Sequence, residues 1–272
     1  MLETGELWMR NVRQMNDSAE VSYGINGLLG VRSSYIGRGL VHAISSAHPG
    51  LGEELLGDHL NGVVDQWYLQ THVACVTEHD PMRDFNGRLS MWRAYGSDTG
   101  IAFVLKGDKL LANENYDHLY LRPVDYAGEL EFVGLLHVAI SYIERNVEAL
   151  RALPRLWAKI VLTDWLCELV TCMKHPGFHE EREWRVLPVW QHQEATARLE
   201  RAVKDVGSVP QIIFVAKLFD QDTRATTLSE MVDRIIVGPS SNQQAIVDAI
   251  ALKIEGTRVQ VLPSYTPWIG AR

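Results

Sequence analysis

Between Gly177 and Pro188 the sequence runs Gly-Phe-His-Glu-Glu-Arg-Glu-Trp-Arg-Val-Leu-Pro, setting three acids and two arginines around one tryptophan before turning apolar. If residues 183–188 form a strand, period two sets Glu181, Glu183 and Arg185 on one face and Arg182, Trp184 and Val186 on the other. Two carboxylates and a guanidinium then share a surface. Like charges at that spacing repel and raise a carboxylate pKa, so a basic group or a ligand must neutralise them. The pattern suits a site for a cationic or polar ligand. It equally suits a solvated edge strand, and spacing alone leaves both readings open.

A second group of chemistry-bearing residues is Ser90-Met91-Trp92-Arg93-Ala94-Tyr95-Gly96. On a helix Trp92 and Tyr95 lie three apart on one side, with Arg88 four before Trp92, and an aromatic pair at that spacing serves a core as readily as a ligand. Upstream, the β-rich run 71–77 feeds a polar loop holding Glu78, His79, Asp80 and Asp84, a common way for a scaffold to present side chains. Asp17, Glu20, Asp80, Asp84 and Glu183 could together supply a metal-dependent phosphodiesterase, although no spacing among them singles out a cage.

The elements that position these groups follow from periodicity. A short strand covers Glu6–Met9, with Arg10 and Arg13 at or beyond its end. Asp17 and Glu20 read as a capping box opening a helix that continues to about Gly30. Residues 33–52, rich in Gly, Ser and His, take no clear assignment. An amphipathic helix is expected over about 51–70 and a strand over 100–105. Another strand spans 119–126, followed by a long helical pair at about 129–153 and 154–174. A polar helix is expected at 193–206 and a strand at 211–216. The tail reads as strand, helix, strand: 233–238, a helix to Ile254, then 258–262. Gly238 with the hydroxyls after it could hold an anion, but no phosphate-loop pattern is present and an ordinary turn is the better reading.

The expected fold class is α+β: one domain over 1–272, with a mixed, mostly antiparallel central sheet, flanking helices, the long helical pair and the C-terminal strand-helix-strand. With 272 residues, 46% of them hydrophobic, the chain can bury a sizeable core. A formal net charge of -8 argues against direct nucleic-acid or membrane-surface binding, so a small ligand or a protein partner is expected. Cys75, Cys167 and Cys172 read as buried thiols of a reducing cytosol rather than zinc ligands; no metal site is expected. With no signal peptide or membrane span visible, the expected location is cytoplasmic.

Three ordered blocks, Asn16-Asp17-x-x-Glu20, Met91-Trp92-x-x-Tyr95-Gly96 and Glu181-x-Glu183-Trp184-Arg185, with the closing Ile235-x-x-Gly238, resemble the bacterial domain-of-unknown-function family 2971. The resemblance spans most of the chain. Members often carry an aromatic and basic stretch before the first strand, whereas Met1 here starts almost on it. The E-x-E pair entering an apolar strand, together with the Ser-x-Trp block, is also similar to the ADP-ribosyltransferases, which use NAD. That similarity implies Glu183 as the catalytic carboxylate, since cleavage of the nicotinamide bond builds positive charge on the ribose. It implies Glu181 as the group that positions the acceptor and Ser90 as the mid-sheet hydroxyl. Trp92 or Tyr95 would stack on the nicotinamide, with Arg185 in the pocket and Arg10 or Arg13 on a phosphate. A bacterial toxin or antiphage effector is the implied role. The alternative is a non-catalytic nucleotide-sensing or interaction module in which the same charges form a structural network.

Overall fold

The computed structural model describes residues 2–15, 19–57, 67, 69–96, 99–111, 119–188, 199–219 and 227–267. The chain divides into two compact units, the first built from residues 1–8, 77–117 and 215–272 and the second from 9–76 and 118–214. The architecture is α+β, as expected, with a mostly antiparallel six-stranded sheet and flanking helices. No described helix is long and apolar enough to cross a membrane.

The second unit holds most of the six-stranded sheet. In spatial order its strands are β4 (Leu119–Pro123), β7 (Glu183–Pro188), β2 (His72–Thr77), β1 (Glu6–Asn11), β9 (Val209–Lys217) and β8 (Glu200–Val206). β7 is therefore flanked on both sides, and its antiparallel register with β4 pairs Arg122 with Arg185 and Leu121 with Val186. A solvated edge strand is excluded. β1 runs two residues past the expected end, so Arg10 lies on the strand and Arg13 in the 3-10 turn after it.

Helices α1 (Ala19–Val31), α2 (Tyr35–Ala47), α3 (Leu51–Leu56), α6 (Glu129–Arg145), α7 (Val147–Ala152) and α8 (Arg155–Thr171) pack a core around Leu40, Ile44, Phe132, Leu136 and Leu166. α2 occupies the stretch that resisted assignment. Ser34 caps it by accepting the Gly37 N–H, and Ile36, Leu40, Ala43, Ile44 and Ala47 line its buried face at helical spacing. The expected helix over 51–70 is corrected at its start: α3 ends at Leu56 and Gly57 is extended, while 67, 69 and 70 are helical and 58–66 and 68 lie outside the described residues. Of the Asp17/Glu20 capping box, Asp17 and the Glu20 side chain also fall outside them. The polar helix expected at 193–206 is corrected over 200–206, which is strand β8; Gly207 and Ser208, both at positive φ, turn it back into β9.

The first unit contains α4 (Leu89–Tyr95), β3 (Ile101–Leu105), α5 (Gly107–Leu111), α9 (Leu228–Met231), β10 (Val232–Val237), α10 (Gln243–Lys253) and β11 (Gln260–Pro263). Its three-stranded sheet pairs β10 with β3 antiparallel and with β11 in parallel, so β10, α10 and β11 form the expected strand-helix-strand. Ile235, Val237, Ile250 and Ile254 belong to its core.

Candidate functional site

The acidic block becomes a site through the turn before β7. α8 ends at Thr171, and the two-residue strand β6 (Met173–Lys174) pairs in parallel with β5 (Asp125–Tyr126), placing Tyr126 opposite Lys174. His175 then caps a 3-10 turn over Pro176–Glu181 by accepting the Gly177 N–H. Arg182 at φ 45, ψ 50 reverses the chain into β7, a left-handed conformation that costs a non-glycine residue about 1–2 kcal/mol. Glu181 therefore lies on the turn rather than on the strand.

The two acids nevertheless converge, on a residue the sequence reading passed over. Lys174 Nζ donates to Glu181 Oε2 at 2.5 Å and to Glu183 Oε2 at 3.0 Å, and its side chain is 1% exposed. Arg185 Nε donates to Glu183 Oε1 at 2.8 Å, and its Nη1 donates to the Thr171 carbonyl. The Glu183 backbone N–H donates to the Tyr126 hydroxyl at 2.7 Å. Burial pushes the Glu183 carboxyl up, but the charge and hydrogen bond of Arg185, a hydrogen bond from Cys75 and the charge of Lys174 outweigh it and hold the group at about 2. The result is a buried pair of cations locked to a pair of anions. Lys174 Nζ also sits 4.9 Å from the centroid of the Phe178 ring, which is 40% exposed. The only hint of Lys174 in the sequence was a lone lysine ending the apolar run of α8.

Of the other expected site residues, Arg10 is half-buried on β1, its Nε donating to Gln211 Oε1 and its Nη2 to the Gln14 carbonyl, while Arg13 is exposed. Ser90, Trp92 and Tyr95 lie on α4 in the first unit. Ser90 is half-buried and Tyr95 is 53% exposed. Trp92 is buried and its Nε1 donates to the Asn86 carbonyl at 2.9 Å. Two glycines seat its ring: a Cβ on Gly87 would come within 2.6 Å of the indole, and one on Gly238 within 2.9 Å. The tryptophan and the closing glycine are thus two halves of one packing joint.

In the first-unit loop, Asp84 takes the Arg88 guanidinium at 2.8 Å, which holds its carboxyl low. Among the described residues no group of three or more His, Cys, Asp or Glu side chains is arranged to hold a metal ion. Cys167 and Cys172 are buried, and burial pushes both thiols up to about 12. Cys75, expected buried, is exposed: β2 is buried on both faces at His72–Ala74 and opens to solvent from Cys75 on.

The molecule is thus an α+β protein whose most charged interior is a four-membered ion network. Residues 91–186, which contain both the tryptophan block and the acidic block, match the model of a family described as protein of unknown function (DUF2971). No curated protein and no solved structure matches the chain.

Proposed function

We propose that this protein is a binding module for an adenine nucleotide that it does not turn over. The observation carrying this reading is that both oxygens of Glu183 already face fixed cations, Arg185 on Oε1 and Lys174 on Oε2. A carboxylate that stabilises a cationic ribose has to turn an oxygen toward the sugar, and here the network occupies both. The network acts instead as a rigid floor. Phe178 lies over Lys174 with much of its ring in solvent, and a cation under one face favours an electron-rich planar partner on the other. Adenine meets that requirement, whereas the positively charged nicotinamide of NAD does not. In this reading Glu181, on the same turn and less buried than Glu183, accepts from the exocyclic amine.

Melting the protein with ATP, ADP, AMP and NAD tests this. A ligand at about a hundred times its dissociation constant stabilises the native state by about 2.7 kcal/mol. The adenine nucleotides are expected to raise the melting temperature, Phe178→Ala to abolish the rise, and NAD to remain intact over hours of incubation. Absence of any shift defeats the reading.

A second reading, an NAD-using ADP-ribosyltransferase or glycohydrolase with a toxin or antiphage role, draws support from the ionised state of Glu183 and the exposed Cys75 beside it. Under it Glu183 faces the ribose and Glu181 positions the acceptor. Release of nicotinamide by the native protein, lost in Glu183→Gln, would establish this second reading over the first.

A further inference from the structure

We propose that the outer ridge of α6 is a self-association surface, through which two copies of this chain pair antiparallel about the Gly134–Val138 turn. Leu130, Gly134, Val138 and Tyr142 follow one another at four-residue intervals, so they form a continuous ridge. The face carrying Phe132, Leu136 and Ile143 is the one that packs inward. Leu130 is 84% exposed, Val138 65% and Tyr142 64%. Gly134 breaks the ridge with a gap, since nothing lies within 4 Å of where its Cβ would stand.

The chemistry of this face is unusual for a solvated helix. From Phe132 to Ile143 there is no Asp, Glu, Lys or Arg. Of the polar side chains in that run, His137 is turned back on its own helix, its Nδ1 3.0 Å from the Val133 carbonyl. Charge returns only at the ends, with Glu129 and Glu131 at the start and Glu144 and Arg145 at the finish; seven residues either side of Val138, Glu131 and Arg145 fall on the ridge, whereas Glu129 and Glu144 turn off it.

These end charges choose the partner and its direction. A parallel copy would set Glu131 against the same acid of its partner. An antiparallel copy centred near Val138 sets Glu131 opposite the other copy's Arg145 and drops Tyr142 into the other copy's Gly134 gap. Opposed helix dipoles add to the preference. A shallow crossing of about 20°, the ridge-into-groove class of near-aligned helices, keeps both ends close enough for those pairs. The three large side chains offer about 400 Å² per copy, roughly half of what a standard interface takes from each partner, so the dimer is weak and reversible.

Sedimentation equilibrium of the full chain from about micromolar to about millimolar concentration reads this out. The expected result is a mass rising from monomer toward dimer. Val138→Glu should weaken the dimer at least tenfold while leaving the melting temperature unchanged, because the site is exposed. Should that variant fold poorly, Leu130→Lys serves the same purpose. Glu131→Arg should weaken the dimer, and adding Arg145→Glu should restore it. A monomer throughout, less than tenfold weakening in a folded ridge variant, or no rescue by the charge swap overturns the proposal.

Discussion

Glu183 illustrates how one side chain's surroundings decide its role. Its folded-state carboxyl lies at about 2, below the ordinary 4.5, so its contribution to stability is fully present above about 4.5 and is lost as the pH falls from there toward 2. Integrated over that window the loss is about 3 kcal/mol. Urea titrations between neutral pH and pH 3 should show about 2 kcal/mol of this decline, and Glu183→Gln should flatten it. The same substitution leaves Lys174 and Arg185 facing a neutral amide in a buried setting, so it should cost roughly 3–5 kcal/mol at neutral pH. The sequence disclosed the crowding of charge around Trp184 and the need for a neutralising cation. It did not disclose which cation, because Lys174 reaches the acids only through the β5–β6 pairing and the turn at Arg182, neither of which leaves a periodic trace.

At the level of elements, patterns read well where burial is one-sided and poorly where glycine or charge interrupts them. α2 carries a regular apolar face, yet Gly37 and Gly39 disguise it. Gly37 is required because a Cβ there would come within 2.3 Å of the Val31 carbonyl at the α1–α2 corner. β8 reads as a helix in sequence because its charges come in pairs four residues apart, Glu200-Arg201 and Lys204-Asp205, on a strand that buries almost nothing; the hairpin signal is the Gly207-Ser208 pair between valines. The aromatic block was legible as a helix, but its tight fit against Gly238 was not. Gly238→Ala should cost about 1–3 kcal/mol by overpacking against the indole. Trp92→Phe should relieve part of that cost, so the double variant should be less destabilised than the sum of the two in chemical denaturation.

Across the whole molecule, the second unit is complete once residue 214 has been made, whereas the first draws on the extreme start, the middle and the end of the chain. β10 joins β3 across more than a hundred residues of intervening sequence. Contacts so distant along the chain form slowly, because the closure entropy must be overcome before they reward it. Pulse-labelled hydrogen exchange during refolding should therefore find amides of α8 protected before those of β3 and β10; simultaneous protection would contradict this order.

The same layout bears on synthesis. A ribosome releases the first residues long before their sheet exists, and the β3 segment must wait for Val232–Val237 to emerge before it finds its antiparallel mate. Until then an apolar strand stands without a neighbour, so translation that stops shortly before residue 232 would leave a product prone to capture by chaperones or proteases.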